Sequence, residues 1–516
     1  MAPLTLPRRQ LLGASAATLG LALLGPFGRA VGASYPFSLG VASGDPLPDG
    51  FVIWTRLAPT LNLRQAVPVR WEVARDAQMR QPLRAGVATA WPEAAHTVHV
   101  DVRGLAPGRP YWYRFTALGA QSPIGQSLTT PPAHAMTPLK LGVASCAHWE
   151  MGYFSAYRHL AAEQPDLVLF LGDYIYDNSF PADNPLRVRS HGSGNARSLA
   201  DYRDRYALYR TDPDLQALHA SAPCVATWDD HEVQNDYAGR WSQDPAQSVP
   251  AFMAQRAAAY RAFYEHMPLR RAQRPQGDGL RLYRRLHYGA LAQIDVLDGR
   301  QYRDIQPCLE PGASRGGRLA PISCADLDDP RRSLLGIEQE RWLYQGFATT
   351  GARWNLIAQD QLLSPFDQRR ADHLAGAWTD GWSGYGANRE RLLHAVHQHR
   401  LRNAVFFGGD IHSFWVNDLH LNGQGPTSPI VATEFVGTSV TSYGPSYGGF
   451  MKMMADNPHV KFFDSRQRGY LIAEVQPGHM TVALRGISDQ KDARATLGTL
   501  KQYVVQDRCA GALAAG

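Results

Sequence analysis

Lysine is almost absent from this chain: 47 of its 52 basic residues are arginine, scattered in ones and twos. No continuous basic stripe of the kind that tracks nucleic acid is visible, and no nucleic-acid partner is expected. Long hydrophobic runs are equally scarce. The longest, residues 11–24, falls short of the roughly 20 residues a membrane span needs, so the mature protein is expected to have no stable span. Cysteine is sparse, with five in 516 residues, and internal repeats and low-complexity tracts are missing. With 44% hydrophobic and 19% charged residues, these absences exclude disordered, collagen-like and coiled-coil chains. At roughly 150 residues per domain, the length allows two to four domains and a large core without disulfide staples.

Arg8 and Arg9 directly precede the apolar run, and Val31-Gly32-Ala33 offers small residues for cleavage. Residues 1–33 therefore read as a twin-arginine signal in preference to a membrane anchor, which implies the twin-arginine translocase as a partner during export and a periplasmic or secreted protein. Cleavage removes Arg8, Arg9 and Arg29 and no acid, lowering the net charge from +6 to +3. Export of already folded chains is also a hint of a metal cofactor. Cys146, Cys224, Cys308, Cys324 and Cys509 are an odd number for an exported protein, so at least one has a job other than pairing. Cys308 and Cys324, flanking a Gly, Pro and Arg-rich loop, are candidates for a local disulfide. The four cysteines other than Cys146 permit three connectivities.

From residue 51 to 118 the hydrophobic period is two: Val69, Trp71 and Val73 alternate with Arg70 and Glu72, and Tyr111, Tyr113 and Phe115 with Trp112 and Arg114. This pattern predicts half-buried antiparallel strands. The turn Leu105 to Pro110 before Tyr111 has the form of a tyrosine corner, so residues 34–131 are read as an immunoglobulin/fibronectin-like β-sandwich. A Thr- and Pro-rich linker follows. From residue 138 to 490, short apolar runs alternate with helical stretches, which predicts an α/β domain with buried strands at 139–145, 165–171, 224–228, 291–297, 354–358, 404–407, 431–435 and 470–475. Residues 491–516 are read as a C-terminal tail.

Four of these strands end in metal-ligand residue types: Ser145-Cys146-Ala147-His148, Gly172-Asp173-Tyr174-Ile175-Tyr176-Asp177, Asp229-Asp230-His231-Glu232 and Gly409-Asp410-Ile411-His412. In open α/β sheets functional groups gather beyond the carboxyl ends of strands, so carboxylates, a phenol, an imidazole and a thiol are expected on one edge. Phosphoryl chemistry needs such a set. Two cations a few ångströms apart clamp the attacking and leaving oxygens and acidify a water, and they need a bridging carboxylate, for which Asp173 is placed. Asp410 and His412, two apart on an extended segment, are expected to point the same way.

This order of motifs resembles the calcineurin-like metallophosphoesterases, specifically the alkaline phosphatase D (PhoD) branch. Ser43-Gly44-Asp45-Pro46 through Leu57 is similar to that branch's N-terminal sandwich, and Asp298-Gly299-Arg300-Gln301-Tyr302-Arg303 to another of its stretches, so the likeness runs from about Phe37 to Val482. The resemblance implies a metallophosphoesterase α/β sandwich with iron(III) on Cys146, Asp173, Tyr176 and His412. A neighbouring calcium would be held by Asp173, Asp230 and Asp410. Thiolate, phenolate and imidazole suit iron, and oxygen-only ligands suit calcium. Asp173 and His231 would be the catalytic pair, with His231 facing the phosphate or protonating the leaving alkoxide, or else serving only as a histidine behind the ligands.

A further ligand is expected from Gln359 or Asp360, with Gln359 preferred. Asn235 is read as contacting substrate or a second calcium, or as a turn residue. Arg300 and Arg303 are candidates to clamp phosphate, or surface residues. The activity implied is hydrolysis of small-molecule or lipid phosphate esters. A secreted phospholipase D-like phosphodiesterase and a cell-surface binding protein with structural metals are the alternatives.

Overall fold

The computed structural model describes residues 35–310, 312–369, 374–422 and 428–515. The export signal expected at residues 1–33 lies outside the described residues.

The period-two segments form two facing sheets. In one, Val67–Ala74 lies between Pro82–Ala90 and Pro110–Ala117, and the latter also pairs with Gly125–Leu128. In the other, Val41–Leu47, Gly50–Arg56 and Thr97–Val102 run antiparallel. Val69, Val73, Tyr113 and Phe115 from the first meet Phe51, Ile53 and Val98 from the second in a shared core. The tyrosine corner is present: Tyr111 Oη accepts from the Ala106 amide at 2.9 Å and donates to its carbonyl at 3.2 Å.

The larger part of the chain is four-layered, with two sheets face to face and helices outside each. The order of the first sheet is Leu513–Ala514, Leu497–Gln506, His479–Ile487, Gly469–Val475, Leu139–Ala144, Leu167–Leu171, Cys224–Thr227, Val41–Leu47, Gly50–Arg56, Thr97–Val102. The second runs Arg284–Tyr288, Ala292–Val296, Trp354–Ala358, Ala404–Gly408, Ile430–Val436, Phe414–His420, Val460–Asp464. Between the sheets Leu141, Val143, Leu169 and Leu171 pack on Ile294, Leu356, Val405 and Phe407. On the far side of the first sheet, Ala144, Val168, Phe170 and Ala226 meet the helices Ser155–Ala162, Leu199–Arg210, Pro213–Ser221 and Val249–His266. Covered on both faces, these parallel strands read as unbroken apolar runs. Truncating one such side chain, as in Leu169→Ala, is expected to cost about 2–5 kcal/mol.

Two expectations are corrected in part. Residues 491–516 are not a tail: Leu497–Gln506 pairs over its whole length with His479–Ile487, and Leu513–Ala514 pairs with it in turn. Half-exposed on the sheet's outer edge, this strand lacks the apolar run that marks a buried one. The sandwich also does not stand apart. Its strand Val41–Leu47 joins Cys224–Thr227 through the pair Gly44 and Cys224, where a Cβ on Gly44 would lie 2.7 Å from the Cys224 carbonyl oxygen. Asp45 accepts from Arg284, and Trp54 Nε1–H donates to the Glu265 carbonyl at 2.9 Å.

Candidate metal centre

Cys146, Asp173, Asp410 and His412 share a backbone property that their types do not announce: φ of 58°, 54°, 65° and 53°. Non-glycine residues in the left-handed region cost of order 1–3 kcal/mol and persist where the surroundings dictate them. The segment carrying Asp410 and His412 is therefore not extended as expected; two left-handed residues turn it directly after Ala404–Gly408. Gly172, at φ +93°, lets its turn touch the next one, since a Cβ there would lie 2.7 Å from the Asp229 amide nitrogen.

Glu232 holds the strand ends together. Its carboxylate accepts from the amides of Asp173 at 3.1 Å, Tyr174 at 2.6 Å and Asp229 at 2.9 Å. Burial nevertheless pushes it up to about 7.

Ligand atoms of Cys146, Asp173 and His412 lie within 4.8 Å of one another, and so do those of Asp173, Asp230 and His231. Asp173 belongs to both groups. A third such group is Asp230, Asp236 and Asp380. Tyr176 joins the first: its hydroxyl is 3.1 Å from His412 Nε2 and receives a hydrogen bond from Ser442 Oγ at 2.7 Å. His412 Nδ1–H donates to the Tyr443 carbonyl at 2.8 Å, leaving the Nε2 lone pair for the centre. Burial, with Arg468 nearby, lowers His412 to about 4, so it is neutral at ordinary pH. Burial pushes the Cys146 thiol and Tyr176 phenol well up, with the Asp173 charge adding to both.

On the other side the carboxylates crowd a single guanidinium. Arg300, fully buried, is bonded to Asp229, sits 2.8 Å from Asp380 and reaches within 3.7 Å of Asp230. Burial alone would raise Asp230, but Arg300 and His231 overcome it and hold the group below the usual carboxylate range. Asp173, Asp229 and Asp410 are pushed well up by burial and by the neighbouring Asp230 charge. Asp236 is raised to about 7 by burial and by Asp380 and Asp230. His231 Nδ1 lies 2.8 Å from Asp177 Oδ1, and its ring stacks on Tyr176 at 4.2 Å. Despite burial, Asp230, Asp173 and Asp177 raise it well above an ordinary histidine.

Other expected residues lie elsewhere. Gln359 is not aimed at the centre: its Oε1 accepts from the Gln361 amide and from Trp382 Nε1–H at 2.9 and 3.1 Å, and its Nε2 donates to the Gln361 carbonyl. Its neighbour Asp360 is buried with Oδ2 lacking a hydrogen-bond partner. Arg300 and Arg303 are neither phosphate clamps nor surface residues; Arg303 is buried on Asp380, Gln361 and the Gly299 carbonyl. Asn235 lines a polar cavity of about 550 Å³ with Asp177, Asn178, Asn195 and Arg197. Cys308 and Cys324 form a disulfide, while Cys146 and Cys224 are buried thiols and Cys509 an exposed one.

The donors fit metal ions. Burying this many carboxylates around one arginine is unfavourable without added positive charge, and Asp229 Oδ2 and Asp360 Oδ2 are buried without hydrogen bonds. Cys146, Tyr176 and His412 offer S, O and N donors, whereas the Asp230 side offers oxygen.

A family model described as PhoD-like phosphatase matches residues 141–484, and one described as PhoD-like phosphatase, N-terminal domain, matches residues 25–131. Alkaline phosphatase D of Bacillus subtilis (strain 168) is 41% identical over 524 residues, covering 97% of this chain and 88% of that one. A solved structure of PhoD superposes with a TM-score of 0.88 at 41% identity, covering 94% of this chain and 92% of that one. A purple acid phosphatase from yellow lupin seeds shares the fold at a TM-score of 0.56 and 10% identity, over 90% of this chain and 74% of that one.

Proposed function

The chain belongs to the PhoD-like phosphatase family, and on that premise we propose that it is an exported metal-dependent phosphoesterase with iron(III) on Cys146, Asp173, Tyr176 and His412 and calcium beside it on Asp173, Asp230 and Asp410. Family membership sets aside the reading as a binding protein with structural metals. The observation that carries the proposal is the sharing of Asp173 by two groups of converging ligand atoms, one with a thiol and an imidazole, the other with Asp230 and His231. Bound there, the cations would polarise the phosphoryl oxygens and acidify a water.

The chain's own residues supply the rest. Asp177 fixes the His231 ring through Nδ1, so Nε2 is the nitrogen free to face the reacting group. A proton held at that atom goes to the departing alcohol oxygen. Ser442, Tyr443 and Glu232 hold Tyr176, His412 and the strand-end amides in place.

Metal analysis of the purified protein together with a screen of mono- and diesters tests this reading. The expected result is iron and calcium in the preparation, turnover that chelation abolishes and calcium restores, and a visible charge-transfer band that Tyr176→Phe weakens or shifts. A colourless, iron-free, fully active enzyme refutes the iron assignment, and recovery only with zinc refutes calcium. The export proposal rests on Arg8 and Arg9. Replacing both by Lys is expected to strand precursor in the cytoplasm; normal export of that variant refutes it.

A further inference from the structure

A second cavity, of about 320 Å³, opens beside the centre, and Asp410 and His412 are part of its lining. The rest of its wall is mainly Leu362, Phe366, Trp378, Trp382, Ile411 and Phe450. Among the described residues no lysine or arginine lines it, and it shares no lining residue with the polar cavity that Asp177 and Asn235 border. The wall is rigid. The Phe366 and Phe450 rings stack at 5.3 Å with 7° between planes, Phe366 meets Trp415 edge-on at 4.9 Å, and Phe450 stacks on Phe463 at 5.5 Å. The hydrogen bond from Trp382 to Gln359 fixes that indole, which gives Gln359 a positioning role in place of the ligand role expected of it. Trp378 is left 41% exposed.

An aromatic-walled hollow kept open to water is unfavourable unless an apolar group fills it. This hollow ends on a carboxylate and an imidazole of the centre, so its occupant has to join an apolar body to a head that the centre binds. We propose that it is the subsite for the apolar substituent of the substrate, and that the enzyme selects phosphate esters carrying an alkyl or aryl group. The inference rests on the phosphoesterase reading. Phosphate held at the centre places its own substituent against Ile411, Phe366 and Phe450.

Calorimetric binding of n-alkylphosphonates from methyl to octyl to the metal-loaded enzyme, with inorganic phosphate as reference, tests the subsite without turnover. Affinity is expected to rise by about fourfold for each methylene fully buried, until the hollow is full. Trp378→Ala and, separately, Phe450→Ala are expected to flatten that rise while inorganic phosphate binds within twofold of the parent. Affinity independent of chain length in the parent, or a rise that neither variant changes, overturns the subsite. If the rise stands but no phosphate ester is hydrolysed, the phosphoesterase reading fails and the apolar subsite does not. If esters are hydrolysed but the rise is missing, the reverse holds.

Discussion

The two sides of Asp173 handle charge in opposite ways. On the Cys146 side the donors are neutral until a cation arrives: burial makes the thiol and phenol hard to ionise, and His412 is held uncharged. On the Asp230 side charge is already present and only partly matched, with the single guanidinium of Arg300 between Asp229, Asp230 and Asp380. A side that resists ionisation needs a strongly charged cation to displace its protons, whereas a side with its own counter-ion holds a divalent cation loosely. On the proposed reading, the two metals would be told apart by the protein's treatment of charge as much as by ligand type.

Four substitutions break or sharpen this contrast. Asp173→Asn, which touches both sides, is expected to lose both metals and more than about 10⁴-fold in kcat, read by metal analysis and rate together. Retention of both metals at full occupancy would show that Asp173 is not shared. His231→Ala is expected to keep both metals and lose about 10² to 10⁴ in kcat, more for alkyl esters than for p-nitrophenyl esters, which need little protonation. Equal slowing of every leaving group would make His231 a scaffold or a phosphate binder.

Arg300→Met acts on one side only. It leaves Asp229 buried without its partner and Asp380 with Arg303 alone, which is expected to destabilise the protein by about 3–5 kcal/mol in thermal unfolding while the iron band persists. A bleached band would show that the two sides are not independent. Asp177→Asn keeps a hydrogen-bonding atom beside His231 but removes the charge, and its expected loss is the smallest, about 10- to 100-fold in kcat with metals intact. A loss as large as that of His231→Ala would mean that the proton on His231 depends on Asp177 outright.

The parallel strands were legible because they are buried on both faces and read as apolar runs; Trp354–Ala358 falls on the expected residues. Leu497–Gln506 was not, because an edge strand with half its side chains in water carries no such run. At the centre, strand-end residues stood out, since a strand, a turn and a metal-ligand type follow one another in sequence. Asp236 and Asp380 carry no such signal: they sit in loops and enter the centre only through tertiary approach. Arg300 could not be told from the other arginines, because what distinguishes it is burial. Gln359 and Asp360 are adjacent, and only the hydrogen bonds with Gln361 and Trp382 show that the former faces away.

The pairing of Val41–Leu47 with Cys224–Thr227 has a consequence in time. Asp45 waits for Arg284, 239 residues later, before its carboxylate has a partner. At about 5–20 residues per second, synthesis of that stretch takes roughly 12 to 50 seconds, during which the Asp45 carboxylate stands without that partner. The N-terminal part therefore completes its contacts only after the later strands have been made. Its completion is tied to the ribosome's progress through the strands that it finally adjoins.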